Sequence, residues 1–285
     1  VGLDPHLGRF PRPLRETFEG LDGAAFRARA AEATLSWGIT VLDAIQGLVP
    51  ALKPQLAFFE QLGSPGMAVL EQLCAEARAR GLIVALDAKR GDIGSTAQAY
   101  ARALLDDDGP LAGDAVTLSP YLGRESLEPF LERCEHGKGL FVLVRTSNPG
   151  AAELQVQRQG ALEVASWIAA WNAERLGACG LGPVGAVVGA TVPAEAGVFR
   201  AAMPASILLV PGYGAQGGTA RDTLPCFLPG LRGALVNSSR GVTFAGPQDA
   251  DRYDQDPGGI IKAQAQALVA DLRSLASGSF NQTNG

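Results

Sequence analysis

Short apolar, β-branched runs alternate with longer stretches of helical periodicity along almost the whole chain. The runs Val1–Leu3, Ala51–Lys53, Leu82–Ala88, Ala115–Leu118, Leu140–Arg145, Val184–Val188, Ile207–Val210 and Gly233–Val236 read as strands. Between them Ala24–Leu48, Met67–Arg80, Thr96–Asp107, Leu162–Leu176 and Gly258–Leu275 carry apolar residues at helical spacing. Strand–helix units repeated in this way predict an α/β fold whose parallel sheet winds into a (β/α)8 TIM barrel; an open doubly wound sheet is the rival. No linker-like stretch divides the chain. One domain over 1–276 is therefore expected, followed by a Gly-, Ser- and Asn-rich tail, 277–285, expected to be disordered.

The polar positions sharpen this picture. Asp4, Lys53, Asp87, Lys89, Ser147, Gln216 and Arg240 all fall at or just after the C-terminal ends of different expected strands. In a barrel those ends share one face, where active sites are built. Asp87 and Lys89 are two apart, so a strand would point them to the same side, and Asp92 follows just past the strand end. Burying such charges is costly unless they pair or do chemistry. Two readings follow: a structural ion-pair cluster, or a lysine general acid held between carboxylates, with Lys53 completing an alternating array that favours the ammonium.

The stretch Pro211–Gly218 contains a formal G-x-G-x-x-G, but it comes late in the chain and the next strand lacks an acidic ribose partner. It reads better as a mobile glycine-rich loop offering N–H groups to a phosphate, with Arg240 adding a charge-assisted contact; a plain flexible turn is the alternative. Ser147, in Arg145–Gly150, is equally a candidate for hydrogen bonding a polar ring edge or a turn serine. Thr191, Ser119 and Tyr121 also lie at strand ends, and a structural role is expected for each.

Composition removes other classes. The chain has 285 residues, 47% hydrophobic and 19% charged, with a net charge of −5, which argues against a general nucleic-acid or membrane-surface binder. Its four cysteines form no C-x-x-C and there are only two histidines, so neither a metal site nor a disulfide framework is expected. No G-x-S-x-G or H-E-x-x-H is present, and neither histidine sits in a triad-like motif. No signal peptide and no membrane-spanning run is visible, so a cytoplasmic setting is expected. Val1 stands inside a strand pattern, so some residues are expected to precede it.

At these residues the chain resembles the longer bacterial type of the orotidine 5′-phosphate decarboxylase family. The matching pieces are Val1–Pro5, Lys53-Pro54, Asp87–Thr96, Ser119–Tyr121, Arg145–Gly150, Pro211–Gly218 and Ser239-Arg240, in family order. The D-x-K-x-x-D-I-x-x-T pattern with a separate strand-end lysine is the specific part. The resemblance implies decarboxylation of orotidine 5′-phosphate to uridine 5′-phosphate, in pyrimidine biosynthesis, without a cofactor. It implies that Lys89 gives a proton to C6 of the pyrimidine and that Asp87 stands beside the departing carboxylate. Lys53 and Asp4 would bind ribose hydroxyls, Ser147 the pyrimidine, and Gln216 and Arg240 the phosphate. Asp92 and Thr96 would reach into a neighbouring subunit's site, which implies a homodimer. The first strand, which looks clipped, and insertions such as Gly241–Asp256 depart from the family pattern. Two rivals remain. One is a magnesium-dependent sugar-phosphate decarboxylase or aldolase-like synthase, which needs an acidic ligand where Lys53 stands. The other is a non-catalytic phosphate-ligand binding protein, which has no use for the charged array.

Overall fold

The structure, a computed structural model, describes residues 1–157, 159–214 and 216–278. All eight expected strands form, in parallel pairs that follow chain order. Contacts within the chain group it into two compact units. One comprises Val1–Ala88, Pro110–Gly113 and Ser239–Ala270; the other comprises Lys89–Gly109, Asp114–Ser238 and the chain from Asp271.

In the first unit, β1 (Gly2–Leu3) pairs with β2 (Ala51–Pro54), and β2 pairs with β3 (Ile83–Arg90). The register sets Gly2 opposite Lys53 and Ala51 opposite Ile83. Pairing continues beyond β2, where the Leu56 N–H donates to the Asp87 carbonyl at 3.2 Å. The helix Gly23–Ile45 buries Ala30, Thr34, Trp37, Gly38, Val41, Leu42 and Ile45, a stripe at three- and four-residue spacing. It packs on the helix Ser64–Ala79, and a Cβ at Gly38 would lie 2.6 Å from Leu73 Cδ1. Glycine is required there because the two helices approach closely, not because the backbone is unusual.

In the second unit, β4 (Ala115–Leu118), β5 (Gly139–Arg145), β6 (Val184–Val188), β7 (Leu208–Val210) and β8 (Ala234–Val236) pair in turn, all parallel. The β5–β6 register shifts between Leu143 and Arg145, a local irregularity just before the Ser147 loop. Buried Asn172, on the helix Gly160–Ala173, donates to the Val184 carbonyl at 2.7 Å and to Ser206 Oγ at 2.8 Å, and accepts the Val184 N–H at 3.0 Å. A polar side chain is tolerated in this core because both ends of its amide are satisfied. Buried Arg200 binds the Ser206 and Gly233 carbonyls, joining the starts of β7 and β8, and burial holds its guanidinium below the ordinary arginine range.

Several boundaries move. The strand expected at Leu82–Ala88 runs from Ile83 to Arg90, and the helix expected from Thr96 starts at Gly94. Gly241–Asp256 holds the end of a short helix, Arg240–Thr243, and a further helix, Ala250–Gln255. The last helix, Pro257–Gly278, takes in the first residues of the expected tail; residues 279–285 lie outside the described residues.

Candidate active site

Parallel pairing of β2 with β3 sets Gln55 opposite Asp87 and brings the Lys53 side chain within reach of that carboxylate in the first unit. Lys53 Nζ donates to Asp87 Oδ2 at 2.6 Å, with each residue only 7% exposed. Such a pair fixes one carboxylate oxygen by a short charge-assisted hydrogen bond. Asp4 follows β1, whose Gly2 faces Lys53, and Asp4 Oδ1 is buried without a hydrogen-bond partner among the described residues. An orphaned carboxylate oxygen is a vacant acceptor for a ligand hydroxyl. Arg240, half-buried, opens the short helix Arg240–Thr243, which lies against β1. That helix is held in place from behind. Phe244 stacks on Trp37 at 5.2 Å, Trp37 Nε1–H donates to Tyr253 Oη at 3.0 Å, and Tyr253 O–H donates to the Thr243 carbonyl at 2.8 Å. Burial pushes the Tyr253 phenol up to about 12, so it remains a neutral donor.

The second unit holds the other expected residues. Lys89, exposed at the end of β3, has φ +48°, and its N–H donates to Oγ1 of buried Thr117 at 2.9 Å. A lysine in the left-handed region costs about 1–3 kcal/mol and persists where surrounding contacts dictate it, a pattern that clusters at functional sites. The side-to-side alternation of a strand ends at this residue, so the two-residue spacing from Asp87 does not by itself aim Lys89. Arg90 and Ser119 continue the contact, the Ser119 N–H donating to the Arg90 carbonyl at 2.8 Å. Asp92 Oδ1 accepts the Ile93 N–H at 2.8 Å, and Thr96 is exposed in the first turn of the helix Gly94–Leu105.

Ser147 is half-buried, in a loop braced from two sides. Gln155 accepts the Thr146 N–H and donates to Thr146 Oγ1, each at 2.9 Å. Arg145 donates to both carboxylate oxygens of Glu195 at 2.9 and 3.0 Å, and that guanidinium holds the Glu195 carboxyl below the usual range. Thr191 Oγ1 donates to the Ser147 carbonyl at 3.2 Å, the structural role expected of it. Gly212 brings the β5 and β7 loops together: a Cβ there would lie 3.3 Å from Thr191 Cγ2, 3.5 Å from Gln216 Oε1 and 3.6 Å from Ser147 Cβ. At φ +100° this position favours glycine on conformational grounds as well.

Thr117 and His6 carried no sequence motif. Thr117 could have been suspected as the one hydroxyl in the apolar run of β4; His6 had only its closeness to Asp4. Among the described residues, no cluster of three or more His, Cys, Asp or Glu could hold a metal ion.

The signature of the orotidine 5′-phosphate decarboxylase / HUMPS family matches residues 34–253. The chain belongs to this family. An orotidine 5′-phosphate decarboxylase of Rhodopirellula baltica is 50% identical over 254 residues, spanning 86% of this chain and 83% of that one. One of Streptomyces coelicolor is 44% identical over 98% of this chain and 93% of its own. Among solved structures, a Streptomyces avermitilis protein matches with a TM-score of 0.76 and 40% identity, over 96% of this chain and 89% of that one. Leishmania donovani OMP decarboxylase matches with a TM-score of 0.73 and 32% identity, over 96% and 91%. The matched residues include Lys53, Asp87, Lys89, Gln216 and Arg240.

Proposed function

We propose that this chain decarboxylates orotidine 5′-phosphate to uridine 5′-phosphate, with Lys89 as the proton donor to C6, on a closed (β/α)8 barrel acting as one domain. The activity is the one for which relatives at 40–50% identity over most of the chain are named. One observation carries the residue roles: the buried Lys53–Asp87 pair, two residues before a strained Lys89. A structural ion pair alone gives no reason for the strained lysine that follows it.

Loss of carbon dioxide leaves an electron pair at C6 that the ring delocalises poorly. The protein must stabilise that charge and deliver a proton. The Lys89 ammonium does both. Asp87, held by Lys53, stands beside the substrate carboxylate; at ~4 Å and an effective dielectric of ~20 their repulsion is about 4 kcal/mol, and it fades as neutral carbon dioxide forms. Preorganisation of the charges contributes alongside it. Asp4 and Lys53 take ribose hydroxyls, Ser147 the pyrimidine edge, and Gln216 and Arg240 the phosphate, whose binding energy is available to order the Gln216 loop.

The reading includes a homodimer in which Asp92 and Thr96 serve the neighbouring site. Exposed Ile93 (56%) and Tyr121 (77%) support it, as does an apolar cavity of about 390 Å³ lined by Tyr121, Leu154 and Trp167. A cytoplasmic setting is supported by the free thiols of Cys134, Cys179 and Cys226. Among the described residues, no helix is long and apolar enough to cross a membrane. The magnesium-dependent alternative is disfavoured by Lys53, an ammonium where a cation would need a carboxylate. Mixing the protein with orotidine 5′-phosphate and EDTA should bleach the pyrimidine absorbance at an undiminished rate. Unchanged absorbance with intact protein would sink the proposal, and activity restored only by magnesium would favour the rival.

A further inference from the structure

His6 lies outside every role assigned so far, yet the fold fixes it between two of them. Its backbone N–H donates to the Asp4 carbonyl at 2.8 Å, so the ring leaves the same turn as the vacant Asp4 carboxylate oxygen. The ring is held edge-on to Phe58 at 4.4 Å and to Phe244 at 6.0 Å. Phe244 N–H donates to the Arg240 carbonyl at 3.3 Å, so the ring's second aromatic neighbour is the residue that ends the Arg240 turn. The charged groups acting on the imidazole are Asp4, Arg240 and Arg9; the helix Ala57–Glu60 contributes the apolar Phe58. Two rings restrict its rotation and one carboxylate favours its cation, while two guanidiniums oppose it.

We propose that His6 is a specificity residue for the anionic end of the ligand, becoming cationic when a phosphate occupies Arg240 and thereby favouring the nucleotide over the nucleoside. The inference rests on the reading of Arg240 as the phosphate clamp. In the free protein the imidazole is held below its ordinary range, first by burial, with Asp4 opposing and Arg240 and Arg9 adding to the depression. A phosphate dianion on Arg240 cancels the repulsion from that guanidinium and adds an attraction of its own. The proton is taken from solvent, and no bond to the ligand forms or breaks. By linkage, a rise of one pH unit in the imidazole midpoint equals a ten-fold gain in nucleotide affinity on passing from above to below both midpoints.

The chain has two histidines, so imidazole NMR signals of the whole protein resolve His6 against an internal control, His136, with His6→Gln giving the assignment. Titration is followed alone, with saturating uridine 5′-monophosphate, and with uridine. The expected result is that uridine 5′-monophosphate raises the His6 midpoint by about one pH unit, that uridine leaves it in place, and that His136 does not move. A His6 midpoint unmoved by the nucleotide, or moved equally by uridine, overturns the inference. Arg240→Ala separates the two readings: it should weaken uridine 5′-monophosphate at least ten-fold and raise the His6 midpoint of the free protein. Unchanged nucleotide affinity in Arg240→Ala would refute the clamp itself. Weakened affinity with an immobile His6 would refute only the role of His6. His6→Gln adds an affinity readout, since its loss of nucleotide affinity should be present below both His6 midpoints found by NMR and absent above them; an equal loss on both sides marks a merely structural residue.

Discussion

The Lys53–Asp87 pair allows a quantitative test, because both partners are buried and in direct contact. At the observed 2.6 Å and an effective dielectric of ~20, the attraction is roughly 6 kcal/mol. Desolvating two ions costs several kcal/mol each, so the net worth of the pair is far smaller than the attraction. Removing one partner is a different matter, since it strips a buried charge of its direct counter-ion. Lys53→Met and Asp87→Leu should each destabilise by about 3–5 kcal/mol. For a chain of 285 residues the unfolding entropy is about 0.6 kcal/mol per kelvin, so each single variant should melt about 5–8 °C below the parent. The double variant Lys53→Met/Asp87→Leu replaces both charges by apolar groups of similar size and should return to within about 1 kcal/mol of the parent, or exceed it. The assay is a double-mutant cycle by calorimetry and urea unfolding, with coincident circular dichroism and fluorescence transitions as the check on two-state behaviour. A double variant that loses the sum of the two single effects would refute the argument, because it would show that the residues act independently. All three variants should be inactive, the double included, which separates the pair's role in chemistry from its role in folding.

Three further outcomes follow from the same geometry. Lys89→Gly should abolish turnover yet melt above Lys89→Ala, because glycine accepts φ +48° without the cost alanine bears; equal melting points would mean the backbone there is not strained. Arg240→Ala should raise KM steeply for the phosphorylated substrate and much less for one lacking the phosphate, and matching losses for both would remove Arg240 from phosphate binding. Glu195 has its carboxyl lowered by hydrogen bonds from Arg145, so the unfolded chain binds that proton more readily and the stabilisation is present above about pH 4.5, the ordinary value, and lost as pH falls through the lowered one. Melting points of the parent and Glu195→Gln should accordingly differ at pH 7 and converge as pH falls below 4, and a gap that widens on acidification would contradict the assignment.

What the sequence discloses depends on whether a feature is local. All eight strands follow from apolar β-branched runs, because a strand buried by flanking helices needs little beyond that composition. Lys53 and Asp87 were legible as strand-end charges, but their contact depends on register, which no periodicity specifies. The left-handed turn at Lys89 was hidden for a sharper reason. Strand alternation predicts an extended lysine, whereas Thr117, 28 positions away, accepts the N–H that fixes a different conformation. Thr117 itself reads as an ordinary β-branched strand residue, so only the structure gives it a task. His6 was dismissed for want of a motif, since its neighbours Phe58, Phe244 and Arg240 come from distant parts of the chain.

In the proposed reaction, two kinds of residue divide the work at the end of β3. Asp87 and Lys53 are buried and joined by a short charge-assisted hydrogen bond, which suits groups that must hold charge in place before the substrate arrives. Lys89 is exposed, and its backbone is fixed through Thr117. Exposure suits the proposed proton donor, whose ammonium must exchange its proton with solvent after each turnover. Replacing Thr117 with valine tests this division because it removes the hydroxyl while keeping the shape. It should lower kcat by about ten-fold or more through misplacement of Lys89, while leaving the binding of uridine 5′-monophosphate, proposed to depend on Arg240 and Asp4, within about two-fold of the parent. If kcat survives Thr117→Val, the strained turn at Lys89 is set by other contacts and Thr117 is only packing.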